Sequence, residues 1–221
     1  MKSLLFSCIL LCVSVYAKDI PDPSKTAQMA RYIINNVDWI AISTISTLPS
    51  VNSFPFVNLK SVSDGPLGKG TGVPYLLMTN LDLTGRDVLQ DNRTTIMASL
   101  AEISYCNSVN YDPQDPRCGR LIISGELSKL DETTDEYKMA KNDLFIRHPI
   151  MEEWMKVHNF YIAKINIKNI LILDNFGGAK TVTVDDYYNA NDYSSIKSTK
   201  QAEADIVVVQ MAVARNYRFK Q

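Results

Sequence analysis

Histidine is nearly absent from this chain of 221 residues: only His148 and His158 occur, with Pro149 between them. They do not form a helical pair, and no HExxH or CxxC spacing accompanies them, which leaves no zinc site of the usual kinds. Each reads as a hydrogen-bonded structural histidine. A GxSxG elbow is also missing, so a serine hydrolase is not indicated. The carboxylate pairs Glu152/Glu153 and Asp185/Asp186 are adjacent in sequence. Adjacent residues on a helix do not face each other, so these read as solvated faces. No catalytic residue and no metal ligand is assigned. Charge of one sign is lacking too: 23 basic residues stand against 24 acidic ones. Nothing there drives counterion release, and nucleic acid is not an expected partner. Beyond the N-terminus the best apolar run, Ile206 to Ala214, includes Gln210 and falls far short of the about 20 residues that span a bilayer. No integral membrane segment is expected. Repeats and low-complexity tracts are absent, and the composition excludes a disordered, collagenous or coiled-coil chain.

What is present begins with residues 1–17, which read as a signal peptide. Lys2 supplies the positive start and Leu4 to Val15 the short apolar run. Val15-Tyr16-Ala17 has the small-residue spacing of a cleavage site, between Ala17 and Lys18. The expected location is the secretory pathway, extracellular or endolysosomal. Cys8 and Cys12 leave with the leader, so Cys106 and Cys118 remain, flanking a turn-rich stretch with two prolines. A bond between them would be worth about 3 kcal/mol on a chain-entropy estimate. Two free thiols are the other reading, and an oxidising lumen favours the disulfide. Asn92-Arg93-Thr94 is the one N-glycosylation triplet in the chain, placed after a predicted helix where an exposed bend is expected.

After a lead-in over 18–24, one domain is expected over 25–190, followed by a polar tail over 191–221. Ser24 is positioned to cap a helix running to about Asn36. Strands are predicted at Trp39–Thr47, from Phe54, at Pro74–Thr79, at Thr94–Glu102 and at Arg120–Leu130, where Gly125 suggests a bulge. Asp82–Asp91 reads as a short helix, and Thr133 with Glu136 as a capping box opening a helix that Pro149 ends. Ala163, Ile165 and Ile167 alternate with Lys164, Asn166 and Lys168, and the pattern runs on through Ile170–Leu173 as one long strand or a strand pair. A brief terminal helix is expected within Val182–Ala190. The glycine-rich loop Gly65–Gly72 fails the P-loop pattern, because Gly70 follows Gly68-Lys69. It is read as a flexible connection. The fold class is α+β: an antiparallel barrel of about six strands with peripheral short helices.

The segments SVSDGPLGKGTGVPY, CNSVNYDPQDPRC, LFIRHPIM, HNFYIAKI and ILDNFGGAKTVTVDDYYN resemble, in order and spacing, the CREG family of secreted glycoproteins. The resemblance runs from about Ala30 to Asn189. It implies a split barrel similar to FMN-binding and pyridoxamine-phosphate-oxidase proteins, assembled as a homodimer. It also implies a non-enzymatic protein without bound flavin, acting through protein or receptor contacts in growth, differentiation or lysosomal function. Glycan-dependent capture by the mannose-6-phosphate receptor belongs to that picture. Relatives carry several acceptor triplets, one on the strand that here reads Asn166-Ile167-Lys168. The strands Trp39–Thr47 and Arg120–Leu130 are the expected dimer contacts. The alternative is an FMN-dependent oxidoreductase, with Lys60, Ser61, Ser63 and Thr79 as the residues offered to a flavin.

Overall fold

The computed structural model describes residues 20–190. The leader, the Ala17–Lys18 cleavage site and the tail over 191–221 lie outside the described residues. In chain order the elements are α1 (Thr26–Asn36), β1 (Trp39–Ile45), β2 (Pro55–Ser63), β3 (Tyr75–Thr79), α2 (Leu83–Gln90), β4 (Arg93–Ser99) and α3 (Tyr105–Ser108). Then come β5 (Arg120–Lys129), α4 (Asp135–Arg147), α5 (Ile150–Val157), β6 (Phe160–Leu173), β7 (Lys180–Val182) and α6 (Val184–Asn189).

All strand pairings are antiparallel, in the order β3-β2-β1-β4-β5-β6-β7, and β3 also pairs with β6. Strands β1 to β6 therefore close into a six-stranded barrel, with β7 added on β6. The β2–β3 seam is held by two residue pairs only, Val62 with Leu76 and Ser63 with Tyr75. Inside, Ile40, Ile42, Leu76, Met78, Ile96, Ile123, Ile165 and Ile170 pack into one core, joined by the apolar face of α1. A smaller cluster forms outside β3 and β6, where Tyr137, Ala140 and Leu144 of α4 and Met151 of α5 meet Tyr75, Leu77 and Ile162.

The long strand β6 is single, and a bulge explains its spacing. Ser124 pairs with Asn169 and Gly125 with Ile167, which leaves Lys168 as an extra residue. The inward side chains shift by one across it, from Ile165 and Ile167 to Ile170 and Ile172, and all four stay buried. Gly125 is needed there, since a Cβ would stand 2.4 Å from the Asn166 carbonyl oxygen.

Three local expectations are corrected. Ser24 does not cap α1: its hydroxyl donates to Asp22, and the helix starts after Lys25. The cap of α4 is Thr134, whose hydroxyl accepts from the Tyr137 amide, while Thr133 closes a turn on Asp131. Glu136 does not reach back to the backbone because Lys164 and the Tyr75 hydroxyl hold it against the sheet. Strand β4 stops at Ser99 rather than Glu102, because the Glu102 carboxylate accepts from the Ser99 amide and Ser104 is left-handed at φ 62°.

Candidate functional site

The four residues offered to a flavin are not brought together within the chain. Lys60 forms an ion pair with Asp82 at the start of α2. Ser61 lies on the other side of the strand from Lys60, across from Trp39. The Ser63 hydroxyl accepts from the Gly65 amide at 3.2 Å, and the Thr79 hydroxyl from the Leu81 amide at 3.2 Å. Ser63 pairs with Tyr75 at one end of β3 and Thr79 ends the other, about 13 Å away at strand rise. Lys60, Ser63 and Thr79 thus each close a local turn or ion pair.

The glycine-rich loop is fixed rather than flexible. Arg31 and Asn35, four apart on α1, lie on one helix face and meet it. The Asn35 side chain donates to Asp64 at 2.6 Å and to the Pro66 carbonyl, and accepts from the Gly68 amide at 2.6 Å. Arg31 donates to the Gly70 carbonyl at 2.6 Å and to the Tyr187 carbonyl at 3.1 Å. Arg147 donates to the carbonyls of Asn35, Val37 and Gly65, and the Tyr187 hydroxyl to Gly72 at 2.7 Å. His148 Nε2 lies 3.1 Å from the Val62 carbonyl, which is the structural role its sequence context suggested.

Asp64 is the centre of this cluster. Its carboxylate accepts from Asn35 and from the Gly72 amide, and its own carbonyl accepts from the Thr71 amide. Burial pushes the carboxyl upward, while Asn35, Arg147 and Arg31 pull it back. Because Asp64, Asn35 and Pro66 already take amide hydrogens from Gly68, Lys69, Thr71 and Gly72, these donors do not form a phosphate cradle. The cluster's chemistry is positional. Sequence reasoning reached its segments through the family motifs but not its wiring. The signal was a polar pair, Arg31 and Asn35, set into the apolar stripe of α1.

The outer face of the barrel is a different kind of surface. Register sets Leu59, Ala41, Met97, Ile122 and Leu171 in one row across β2, β1, β4, β5 and β6. Leu59 is 59% exposed and Met97 41%, with Trp39 at 42% beside them. The next row is polar except at its β2 end: Val57, then Ser43, Thr95, Ser124 and Asn169. Thr95 and Ser124 share a hydrogen bond at 2.9 Å there. A cleft of about 360 Å³ opens around this row, flanked by Arg93, Glu126 and Lys168. Arg93 is paired with Asp91, and Lys168 lies 3.4 Å from Glu126.

Elsewhere, Cys106 and Cys118 form a disulfide, and Asn92 is exposed just after α2. His158 is exposed and edges onto Phe160. Among the described residues no group of three or more metal-ligating side chains occurs, and no helix is long and apolar enough to cross a membrane.

Comparison with known proteins agrees with this barrel. The family described as CREG, beta-barrel matches residues 21–189. The chain belongs to the CREG family. Protein CREG1 of Gallus gallus is 41% identical over 191 residues, covering 86% of this chain and 98% of its own length. Protein CREG1 of Homo sapiens is 42% identical over 170 residues, 77% of this chain and 76% of its own. Among solved structures, a heme binding protein from Mycobacterium smegmatis superposes with TM-score 0.59 at 17% identity, covering 77% of this chain and 62% of that one. A protein of the pyridoxinephosphate oxidase family from Clostridium acetobutylicum gives TM-score 0.50 at 10% identity, covering 74% and 98%. At such identities these two show the fold alone. The CREG barrel is thus a split barrel, as the sequence motifs implied.

Proposed function

We propose that this CREG-family chain is a dimeric glycoprotein of the secretory and endolysosomal route that works through protein contacts rather than by catalysis. The observation that carries the reading is the apolar row of Leu59, Ala41, Met97, Ile122 and Leu171. It crosses five strands, and none of its five residues is buried within the chain. Exposed contiguous apolar surface of this kind marks an interface, and a second copy placed on it buries both rows. The expected contacts on β1 and β5 are part of that row, and β2, β4 and β6 extend it. The buried acids and bases of the loop cluster already serve one another, which supports a non-enzymatic role. Growth, differentiation or lysosomal function, and receptor capture through a glycan, are the roles that family membership favours.

A flavin-dependent oxidoreductase is the competing reading. The hydroxyl-lined cleft beside the apolar row favours it, since a dimer would deepen that cleft. The pairing of Arg93 and Lys168 with carboxylates weakens its call on a phosphate.

The deciding experiment uses the full chain secreted from eukaryotic cells, with its mass and visible spectrum measured together. A colourless dimer at micromolar concentration, made monomeric by Leu59→Asp or Met97→Asp with unchanged circular dichroism, is the expected result. A wild-type monomer overturns the dimer. A flavin spectrum near one cofactor per subunit turns the protein into an oxidoreductase.

A further inference from the structure

A groove of about 470 Å³ lies where the end of α2, the end of β5 and the start of β6 come together. Leu89, Leu127, Phe160 and Tyr161 form its apolar side, and Asn80 and Lys129 its polar side. Leu89 is 63% exposed, so the groove is open to solvent. Among the described residues Lys129 is the one cation in its lining, and Glu132, also in the lining, lies 3.3 Å from it. A phosphate or other anion therefore finds no net positive charge here. Ring faces beside amides suit a neutral saccharide, whose C–H faces pack on apolar groups and whose hydroxyls bond to side chains.

The acceptor triplet begins at the edge of this groove. The Leu127 amide donates to the Asn92 carbonyl at 2.8 Å, which extends by one step the register that pairs Arg93 with Glu126. Asn92 is thus directly opposite Leu127 and on the same side of the sheet, with Cβ atoms about 5 Å apart. Leu127 lines the groove, while Asn92 is exposed. From these positions we infer that the groove is the seat of the chain's own Asn92-linked glycan, whose first sugars lie across Leu89 and Tyr161. The inference rests on the reading of the chain as a secretory glycoprotein. Tethering holds the sugar at an effective concentration in the millimolar range, so individually weak contacts suffice.

The test uses the secreted full chain. Peptide mass mapping first reads whether Asn92 carries a glycan. Native hydrogen exchange is then compared between the glycosylated protein and Asn92→Gln. Exchange in residues 80–90 and 159–161 should be about threefold slower with the glycan in place. Leu89→Ser and Tyr161→Ala keep the triplet and should lose that protection. In both, native endoglycosidase release of the sugar should be about tenfold faster, while circular dichroism checks the fold. Leu89→Ser alters a surface residue and carries the test if Tyr161→Ala fails to fold. An occupied Asn92 with unchanged exchange and release overturns the seat but leaves the glycoprotein reading intact. A secreted protein with an unmodified Asn92 overturns both.

Discussion

Glu102 is a carboxyl held far above its ordinary value, at about 7, chiefly by burial and then by the nearby charge of Asp38. The folded state binds its proton more tightly than the unfolded chain, whose value is near 4.5. Its contribution to stability is therefore complete below about pH 4.5 and is lost as pH rises through 7. Partial exposure of the group screens the effect, which leaves about 1 kcal/mol. The unfolding free energy from urea titrations of the wild type should fall between pH 5 and pH 8 by that amount beyond the background of other groups, and Glu102→Gln should remove this part of the slope. A second residue-scale expectation concerns Gly70. A Cβ there would lie 2.1 Å from an Asp64 oxygen and 2.4 Å from the Asn35 amide nitrogen, both already committed to hydrogen bonds. Gly70→Ala should cost about 3 kcal/mol in denaturant unfolding, since the side chains must leave a buried network. A cost under 0.5 kcal/mol would show that the cluster gives way easily.

At the scale of elements, the misread cap makes a clean comparison. Thr134→Ala should cost about 1 kcal/mol by removing the hydroxyl that satisfies Tyr137, whereas Thr133→Ala should cost a few tenths. Both are read from thermal or urea unfolding. The capping-box pattern at Thr133 was legible, but the partner it needed was not. Glu136 is claimed by Lys164 and Tyr75, residues 28 and 61 positions away, and no local pattern shows that. The same reasoning separates what could be read from what could not. Strands β1, β5 and β6 announce themselves through alternation or β-branched runs and β3 as a short continuous apolar run, and the one-residue shift at Lys168 is visible as a changed spacing of isoleucines. Strand β7 has three residues, too few for a period, and α5 begins directly after the proline that ends α4. The loop 64–72 looked loose because glycine signals turning freedom, while the groups that hold it come from α1, α4 and α6. Asn35→Ala should make the point. It orphans an Asp64 oxygen and the Gly68 amide, costs about 2–4 kcal/mol, and raises hydrogen exchange through 64–72.

For the whole molecule, the disulfide and the closure of the barrel matter most. Cys106 and Cys118 are both buried, and replacing the pair with serine should lower unfolding stability by about 3 kcal/mol. The barrel's outer row leaves Leu59 and Met97 exposed on one side of the sheet. Closure has a consequence of its own. The barrel shuts when Tyr75–Thr79 meet Phe160–Lys164, because the β2–β3 seam contributes only two pairs. About 80 residues separate those partners, so a ribosome moving at about 5–20 residues per second leaves β3 waiting on the order of 4 to 16 s. Within that interval Asn92 and Cys106 are made while the sheet is still open. The nascent chain thus presents the Asn92-Arg93-Thr94 triplet in an open sheet, and Cys106 before any barrel exists to bury it.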